Sequence, residues 1–493
     1  MSDFILNQPS KCLEILKKIG TIADEEGFEV YVVGGYVRDC FLKRRQKEAE
    51  QRDIDFTVVG DGIAFAKILR KRLHAKNLVT YEKFGTAMLV VNDGTCTDQE
   101  ENSFKLEFVS ARKESYREDS RKPEVRKTNL LSDLARRDFT INAIAMGLNK
   151  HNFGVIVDPY QGVQDIKKKI IRTPLDPELT FKDDPLRILR AIRFATGLHF
   201  NIDENTKTAI RNSCSRLKIV SHERITDELL KILSAQRPSI GFYLMDETGV
   251  LEFVFPEIAA LKGVEQRDKY HHKDVFVHTL KVVDNVAKVS NKIQLRFAAL
   301  VHDIAKPRTK AFKEGVGWTF HGHDEIGARM MEGIARRLRL SKEFKTYVQK
   351  LIRLHLRPIF LSSEDVTDSA IRRLAVQAGE DLDDLLILCR ADITSGNPQR
   401  VKAHLANFDF VVRRLKEVEE KDKLRAFQSP VRGNEIMAVC GLEPGPLVGK
   451  LKKAIEEAIL DGLIPNEHDA ALQYLYQIKD EVIANFKNPA SKS

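Results

Sequence analysis

The apolar, β-branched run Val30-Tyr31-Val32-Val33 leads straight into Gly34-Gly35-Tyr36-Val37-Arg38-Asp39, and Asp53-Ile54-Asp55 follows shortly after. The run predicts a buried strand. The glycine pair at its end predicts a tight turn where the backbone can approach a ligand, with the N–H groups of the next helix turned outward. Asp53 and Asp55 are two residues apart, so on a strand both carboxylates leave one face. Side by side they repel unless a cation lies between them, and hard oxygen ligands suit Mg²⁺. Phe56-Thr57-Val58-Val59 continues that strand, and Arg38 is placed to hold a phosphate. Either motif alone suits an ordinary turn or a solvated edge. Together, in this order, they are the equipment for attacking a nucleoside triphosphate.

A chain of 493 residues has length for several domains and more than one core. Lys and Arg outnumber Asp and Glu by 80 to 71, a formal charge of +9, which favours a polyanionic partner. Six cysteines (Cys12, Cys40, Cys96, Cys214, Cys389, Cys440) form no Cys-x-x-Cys pair. Neither a disulfide framework nor a zinc ribbon is therefore expected, which fits a reducing cytosol. The N-terminus has no long apolar core and no stretch approaches a membrane span, so a soluble cytoplasmic protein is the expectation.

Up to about residue 170 strand and helix patterns alternate, including strands at Thr86–Val91 and Lys105–Val109. The polar insert from Lys43 to Gln51 reads as a surface loop. So does the mixed-charge segment from Arg112 to Lys127, which has few apolar residues. From Pro185 the pattern is helical nearly to the end, as in Leu186-x-x-Leu189-x-x-Ile192. The tail from Asn488 to Ser493 reads as frayed.

Two further motifs follow. Arg136-Arg137-Asp138-Phe139-Thr140-Ile141-Asn142 sets cations, an acid and an amide at the start of a helix. Arginine neutralises triphosphate charge, and Asp or Asn exchanges hydrogen bonds with ribose hydroxyls. Asp183-Asp184-Pro185-Leu186-Arg187 comes next, then Arg190 and Arg193. Read as one helix, Asp184, Arg187 and Arg190 share a face at three-residue spacing. Such a stripe suits surface ion pairing; equally, an Asp and an Arg held by each other can read a base edge without a template.

These motifs resemble those of the class II tRNA nucleotidyltransferase and bacterial poly(A) polymerase family, over roughly the first 260 residues. The resemblance implies a polymerase-β-like head in which Asp53 and Asp55 are catalytic and hold Mg²⁺. Gly34, Gly35 and Arg38 would seat the triphosphate, and Arg137, Asp138 and Asn142 the sugar and phosphates. Asp184 and Arg187 would read the base, backed by Arg190 and Arg193. Asp183 stands where many relatives have Glu. Glu107 offers a third carboxylate, but class II members manage with two, so it reads as structural.

His278, the pair His302-Asp303, His321-x-His323, His355 and Asp392 are spread through helical sequence. Burying an acid and an imidazole at the end of an apolar helix is costly unless something binds them. A mixed His/Asp set suits Mn²⁺, Co²⁺, Ni²⁺ or Fe²⁺ better than Mg²⁺. The pattern resembles the HD phosphohydrolase domain. That resemblance implies one metal on His278, His302, Asp303 and Asp392, with His323 and His355 completing a second.

The expected architecture is α+β: a nucleotidyltransferase head over 1–173, an all-helical neck over 174–262, an HD domain over 263–400 and a C-terminal helical region over 401–493. Basic clusters in the last region, such as Lys450-Leu451-Lys452-Lys453, suit either RNA contact or solvated helix faces. The resemblance implies template-independent addition of C, C and A from CTP and ATP to the 3′ end of tRNA, with the HD domain acting as a metal-dependent phosphatase or phosphodiesterase. The segment from Arg112 to Lys127 is expected to help switch the base readers between C and A. Poly(A) polymerase and a CC-only enzyme share the head motifs and stay open. From another class, an HD hydrolase or RNA-binding protein with an inert head is the alternative. Oligomeric state is not readable.

Overall fold

The structure, a computed structural model, describes residues 10–42, 53–75, 77–92, 103–115, 124–268, 271–315, 317–361, 367–394, 397–422 and 429–487. It comprises two compact units, Met1–Pro256 and Glu257–Ser493. The class is α+β.

The first unit is built on a sheet that contains, among the described residues, β1 (Glu29–Val33), β2 (Asp53–Val59), β3 (Asn77–Tyr81), β4 (Thr86–Asn92), β5 (Ser103–Ser110), β8 (Ala145–Gly147) and β9 (Ile156–Val157). β6 (Arg112–Ser115) and β7 (Glu124–Lys127) form a separate ribbon. The sheet order is β3-β4-β5-β2-β1-β8-β9. β2 and β5 run parallel and the other neighbours antiparallel. Val30, Val32, Ile54, Phe56, Leu106 and Phe108 are buried, and Phe56 stacks on Phe108 with ring centroids 4.6 Å apart. This interior clamps the centre of the sheet, so β2 presents its carboxylates at a fixed height.

The segment from Arg112 to Lys127 is not all loop. Its two ends pair in antiparallel register, Arg112 with Lys127 and Ser115 with Glu124; cross-strand hydrogen bonding holds an extended ribbon despite the charge, with Val125 as its β-branched member. Residues 116–123 lie outside the described residues, as do the insert from Lys43 to Gln51 and the tail from Asn488.

Helices complete this unit. In Leu186–Leu198 the stripe Leu186, Leu189, Ile192 is buried. Arg187, Arg190 and Arg193 each follow a stripe member by one position, so they lie along the edge of the packed face and stay only partly covered.

The neck expected to be all-helical carries one short strand, Asn201–Ile202, paired in parallel with Ile170–Ile171. The second unit is helical among its described residues apart from short antiparallel ribbons at Glu265–Asp268 with His271–Asp274, and at Ala311–Lys313 with Gly317–Thr319. In the latter, Gly315 and Gly317 adopt positive φ (77° and 94°) that turns the chain back on itself. Helices Gly433–Cys440, Pro446–Leu460 and His468–Lys487 share a small apolar core around Ile436, Leu451, Ile455 and Leu475.

One buried acid ties the sheet to the site. Asp133 is fully covered and accepts from Thr57 Oγ1 (3.1 Å), Arg136 Nη2 (2.7 Å) and Arg137 Nη2 (3.3 Å). Burial alone would raise its pKa, but Arg137 and Arg136 hold it below the ordinary value. Removing it leaves two inward-facing guanidiniums uncompensated, so Asp133→Ala should cost about 3 kcal/mol at neutral pH. Because the folded-state pKa is depressed, this contribution is full above the ordinary carboxylate range near about 4 and fades as pH falls through the folded value. Urea melts of the two proteins should therefore converge on acidification; a gap that stays constant to low pH refutes the charge assignment.

Candidate nucleotide and metal sites

The antiparallel register of β1 and β2 pairs Val33 with Asp55. The glycine turn that follows Val33 is thus brought beside that carboxylate. Gly34 adopts φ 73°, ψ −132°, a conformation open to glycine, and a Cβ there would lie 3.2 Å from Arg137 Nη1 and 3.5 Å from Asp55 Oδ2. The helix Gly35–Phe41 starts at once. Arg38 is fixed from three sides: Nε donates to Asp39 Oδ1 (2.8 Å), Nη1 donates to Asn142 Oδ1 (2.9 Å), and the guanidinium lies 5.2 Å from the Phe194 ring centre.

A cavity of about 590 Å³ opens here. Its wall contains Gly34, Gly35, Asp55, Asp138, Asn142 and Asp184, together with Arg38, Arg136, Arg137, Arg187, Arg190 and Arg224. Six arginines against three aspartates suit a polyanion. Among the described residues, the buried Arg137 Nε has no hydrogen-bond partner, so its guanidinium keeps charge that the surrounding carboxylates do not fully engage. Asp138 is buried and accepts from Arg190 Nη2 (2.5 Å), Arg190 Nε (2.8 Å) and Asn142 Nδ2 (3.0 Å). Burial would raise its carboxyl, but Arg190 and Asn142 bring it down to about 2. It is an anion at any physiological pH.

Asp184 is not on the helix with Arg187. It ends the helix Pro177–Asp183 in an extended conformation, and Pro185 starts the next one; the ring forbids a continuous helix through Asp184. Nor are the two held by each other. Asp184 Oδ2 accepts from Arg224 Nη2 at 3.0 Å and Oδ1 from Leu186 N at 3.2 Å, while Arg187 Nη2 donates to the Arg136 carbonyl at 2.6 Å. Both still line the cavity. Arg193 is placed away from its wall: it pairs with buried Glu228 (2.6 Å) and stacks 4.0 Å over the Phe194 ring centre. Arg224 and half-exposed Phe84, absent from the sequence reading, also line the cavity. Nothing near either in sequence marks it, because each arrives from a distant element.

Asp55 and Gly35 also border a second, smaller cavity, shared with Asp53, Asp39, Lys105 and Glu107. The parallel register of β2 with β5 sets Glu107 directly opposite Asp55, so a residue that sequence alone reads as structural stands beside the acid pair. Burial raises the Asp55 pKa and Asp53 adds to the rise, while Arg137 opposes it. Clustered carboxylate oxygens whose charge is costly to hold fit a hard divalent cation.

The second unit gathers His278, His302, Asp303, His323, His355 and Asp392 into one cluster. His302 follows the helix Ile293–Val301, His323 opens a helix, His355 follows the helix Lys342–Leu354, and Asp392 ends another. Asp303 divides it. Its Oδ2 lies 3.2 Å from His302 Nε2 and 3.5 Å from His278 Nε2; its Oδ1 lies 3.4 Å from His323 Nε2 and 4.0 Å from His355 Nε2. Asp392 Oδ1 closes the first group, 2.8 Å from His278 Nε2 and 3.4 Å from His302 Nε2.

The tautomers are set. Nδ1 of His302, His323 and His355 each donates to a carbonyl three residues back, on Ala299 (2.8 Å), Phe320 (2.7 Å) and Ile352 (2.6 Å). His278 Nδ1 meets Thr394 Oγ1 at 2.9 Å. Every Nε2 is thereby aimed inward, as metal-binding imidazoles require. Fully buried His302 Nε2 makes no hydrogen bond of normal geometry. Burial would lower His302, yet Asp303 and Asp392 raise it to about 10, while burial lowers His355 to about 4. This N/O set fits divalent metal. His321 stays exposed.

Three family models match stretches of the chain. Residues 30–172 match the family model for the poly(A) polymerase head domain, 199–262 that for the probable RNA- and SrmB-binding site of polymerase A, and 275–397 the HD domain. An A-adding tRNA nucleotidyltransferase of Deinococcus radiodurans is 32% identical over 69% of this chain and 78% of its own. A CC-adding tRNA nucleotidyltransferase of Thermus thermophilus is 29% identical over 91% of this chain and 93% of its own. The Thermotoga maritima CCA-adding enzyme, solved with tRNA, shares the fold at a TM-score of 0.58, with 22% identity over 98% of this chain and 97% of that one. Members of these domain families use divalent metals. The chain belongs to the tRNA nucleotidyltransferase and poly(A) polymerase family, in the form that carries an HD domain.

Proposed function

We propose that this chain adds C, C and A to the 3′ end of tRNA from CTP and ATP, and that its HD domain is a metal-dependent phosphohydrolase. The observation that carries the first part is Asp55, which borders both the arginine-walled cavity and the carboxylate cavity. A triphosphate in the first has its α-phosphorus next to an acid pair in the second. The tRNA 3′-hydroxyl attacks that phosphorus and pyrophosphate leaves. Arg38, Arg137 and the Gly34-Gly35 turn hold the leaving phosphates, and Asp138 and Asn142 face the sugar. Asp53 and Asp55 would hold Mg²⁺, which when bound lowers the pKa of a hydroxyl and braces leaving oxygens.

Cytosine and adenine both present an amino group beside a bare ring nitrogen, whereas uracil and guanine present a carbonyl beside an N–H. The Asp184 carboxylate accepts from the amino group and the Arg187 guanidinium donates to the ring nitrogen. One Asp–Arg pair thus admits C and A and rejects U and G. Arg190 supports the site by locking Asp138, and Arg193 by bracing Phe194. A tRNA substrate supports a cytoplasmic location, and among the described residues no helix is long and apolar enough to cross a membrane.

In the HD domain, His278, His302, Asp303 and Asp392 would hold one ion and His323, His355 and Asp303 a second, of Ni²⁺, Mn²⁺ or Co²⁺. Such ions supply hydroxide and polarise a phosphoester. The substrate is a damaged 3′ end, such as a 2′,3′-cyclic phosphate.

The A-adding and CC-adding relatives favour a second reading in which this chain performs only part of the sequence. Incubating tRNA that lacks its three terminal residues with CTP, ATP or both, then sequencing the products, separates the readings. C-C-A supports the first; a stop at C-C, or A addition only to C-C ends, supports the second; a long A tail points to poly(A) synthesis.

Asp55→Ala should lower addition by about a thousandfold or more with tRNA affinity retained, and near-normal turnover would refute the metal assignment. Thr394→Val frees His278 Nδ1 of its hydroxyl partner, so metal affinity of the HD site should drop about tenfold in equilibrium dialysis. Unchanged stoichiometry and affinity would show that Thr394 does not orient the ligand.

A further inference from the structure

Between Asp303 and His323 the chain carries Lys306, Arg308, Lys310, Lys313, Phe312, Trp318 and Phe320, with Glu314 as the acid among them. This stretch contains the ribbon Ala311–Lys313 with Gly317–Thr319, in which Phe312 faces Trp318 across the strands. The two rings meet edge to face with centroids 5.3 Å apart, yet Phe312 is 62% and Trp318 38% exposed. Lys310 Nζ lies 4.4 Å from the Trp318 ring centre. Exposed rings interleaved with cations are the composition of a surface that stacks bases and tracks phosphates.

The ribbon is wired to the His/Asp cluster. Lys306 Nζ lies 2.6 Å from Asp303 Oδ2 and 5.7 Å from the Phe320 ring centre. The Phe320 carbonyl accepts the proton on His323 Nδ1. Trp318 is two residues before Phe320, at most about 7 Å of chain. The ring-bearing ribbon is thus joined to the cluster at both ends, through Lys306 on one side and Phe320 on the other.

We propose that the Phe312–Trp318 ribbon is a base-stacking subsite of the hydrolytic centre. It takes the terminal nucleotide of a single-stranded polyribonucleotide, with the phosphate at the cluster, the base against the rings and Lys310 beside them. The four cations favour this polyanion over a peptide. The inference rests on the phosphohydrolase reading above. In the hydrolysis of a 2′-phosphate, water oxygen forms the new bond to phosphorus, the bond from phosphorus to the ribose oxygen breaks, and a proton from water goes to that oxygen.

The chain has a single tryptophan, so its fluorescence reports on this ribbon. The metal-loaded full chain is titrated with 2′-AMP and, separately, with β-glycerophosphate, an aliphatic ester with the same phosphate. Saturable quenching by 2′-AMP and none by β-glycerophosphate is expected. The ratio of kcat/KM for 2′-AMP to that for β-glycerophosphate should fall about tenfold in Phe312→Ala, through KM, and recover in Phe312→Tyr. Absence of quenching, equal quenching by both esters, or an unmoved ratio overturns the subsite. If neither ester is hydrolysed, the phosphohydrolase reading fails and takes the subsite with it. If β-glycerophosphate is hydrolysed and the ratio stays fixed, the subsite alone is lost.

Discussion

The pairing of β1 with β2 is the constraint from which the first unit takes its chemistry. It sets Val33 opposite Asp55, so the turn at Gly34 and the acid pair meet whatever the length of the connection between them. The strand faces that do not carry carboxylates are packed with Val30, Val32, Ile54 and Phe56. A one-residue slip would turn those apolar side chains outward and the acids inward, at a cost far above the gain from any single contact. Hydrophobic burial therefore fixes where the charge goes.

Charge is handled in two ways. In the first unit, Asp133 and Asp138 are paired with arginines before any ligand arrives. They keep Arg136, Arg137 and Arg190 pre-positioned, which removes part of the ordering cost of binding a triphosphate. In the second unit, Asp303 and Asp392 are shared among imidazoles whose outer nitrogens are already committed to oxygens. Those imidazoles are turned inward by acceptors whose positions the fold fixes, three of them carbonyls three residues back in the chain.

Much of this was legible in the chain. Strand β1 follows from its continuous β-branched run, the turn from its glycine pair, the helix from Leu186 from its three-residue period, and the acids of β2 from their spacing. The His/Asp set was also readable, since buried groups of that kind need company. What local pattern could not supply was partnership across the chain. Pro185 separates Asp184 from Arg187, and the residue that grips Asp184 is Arg224, from a later helix. Glu107 stands opposite Asp55 through a parallel pairing whose register is a tertiary fact. Arg193 looked like one more member of an arginine stripe, but Glu228 claims it. The ribbon at Ala311–Lys313 was hidden because its strands are too short to show alternation.

In the helix Leu186–Leu198 the leucine and isoleucine stripe and the arginine stripe are offset by a single position. Inserting or deleting one residue would rotate both by about 100° and displace the packed face and the cavity-lining Arg187 and Arg190 together. This wall of the cavity can therefore evolve by exchanging side chains at fixed positions, and scarcely at all by changes in length. Core packing and the shape of the cavity are inherited as one unit.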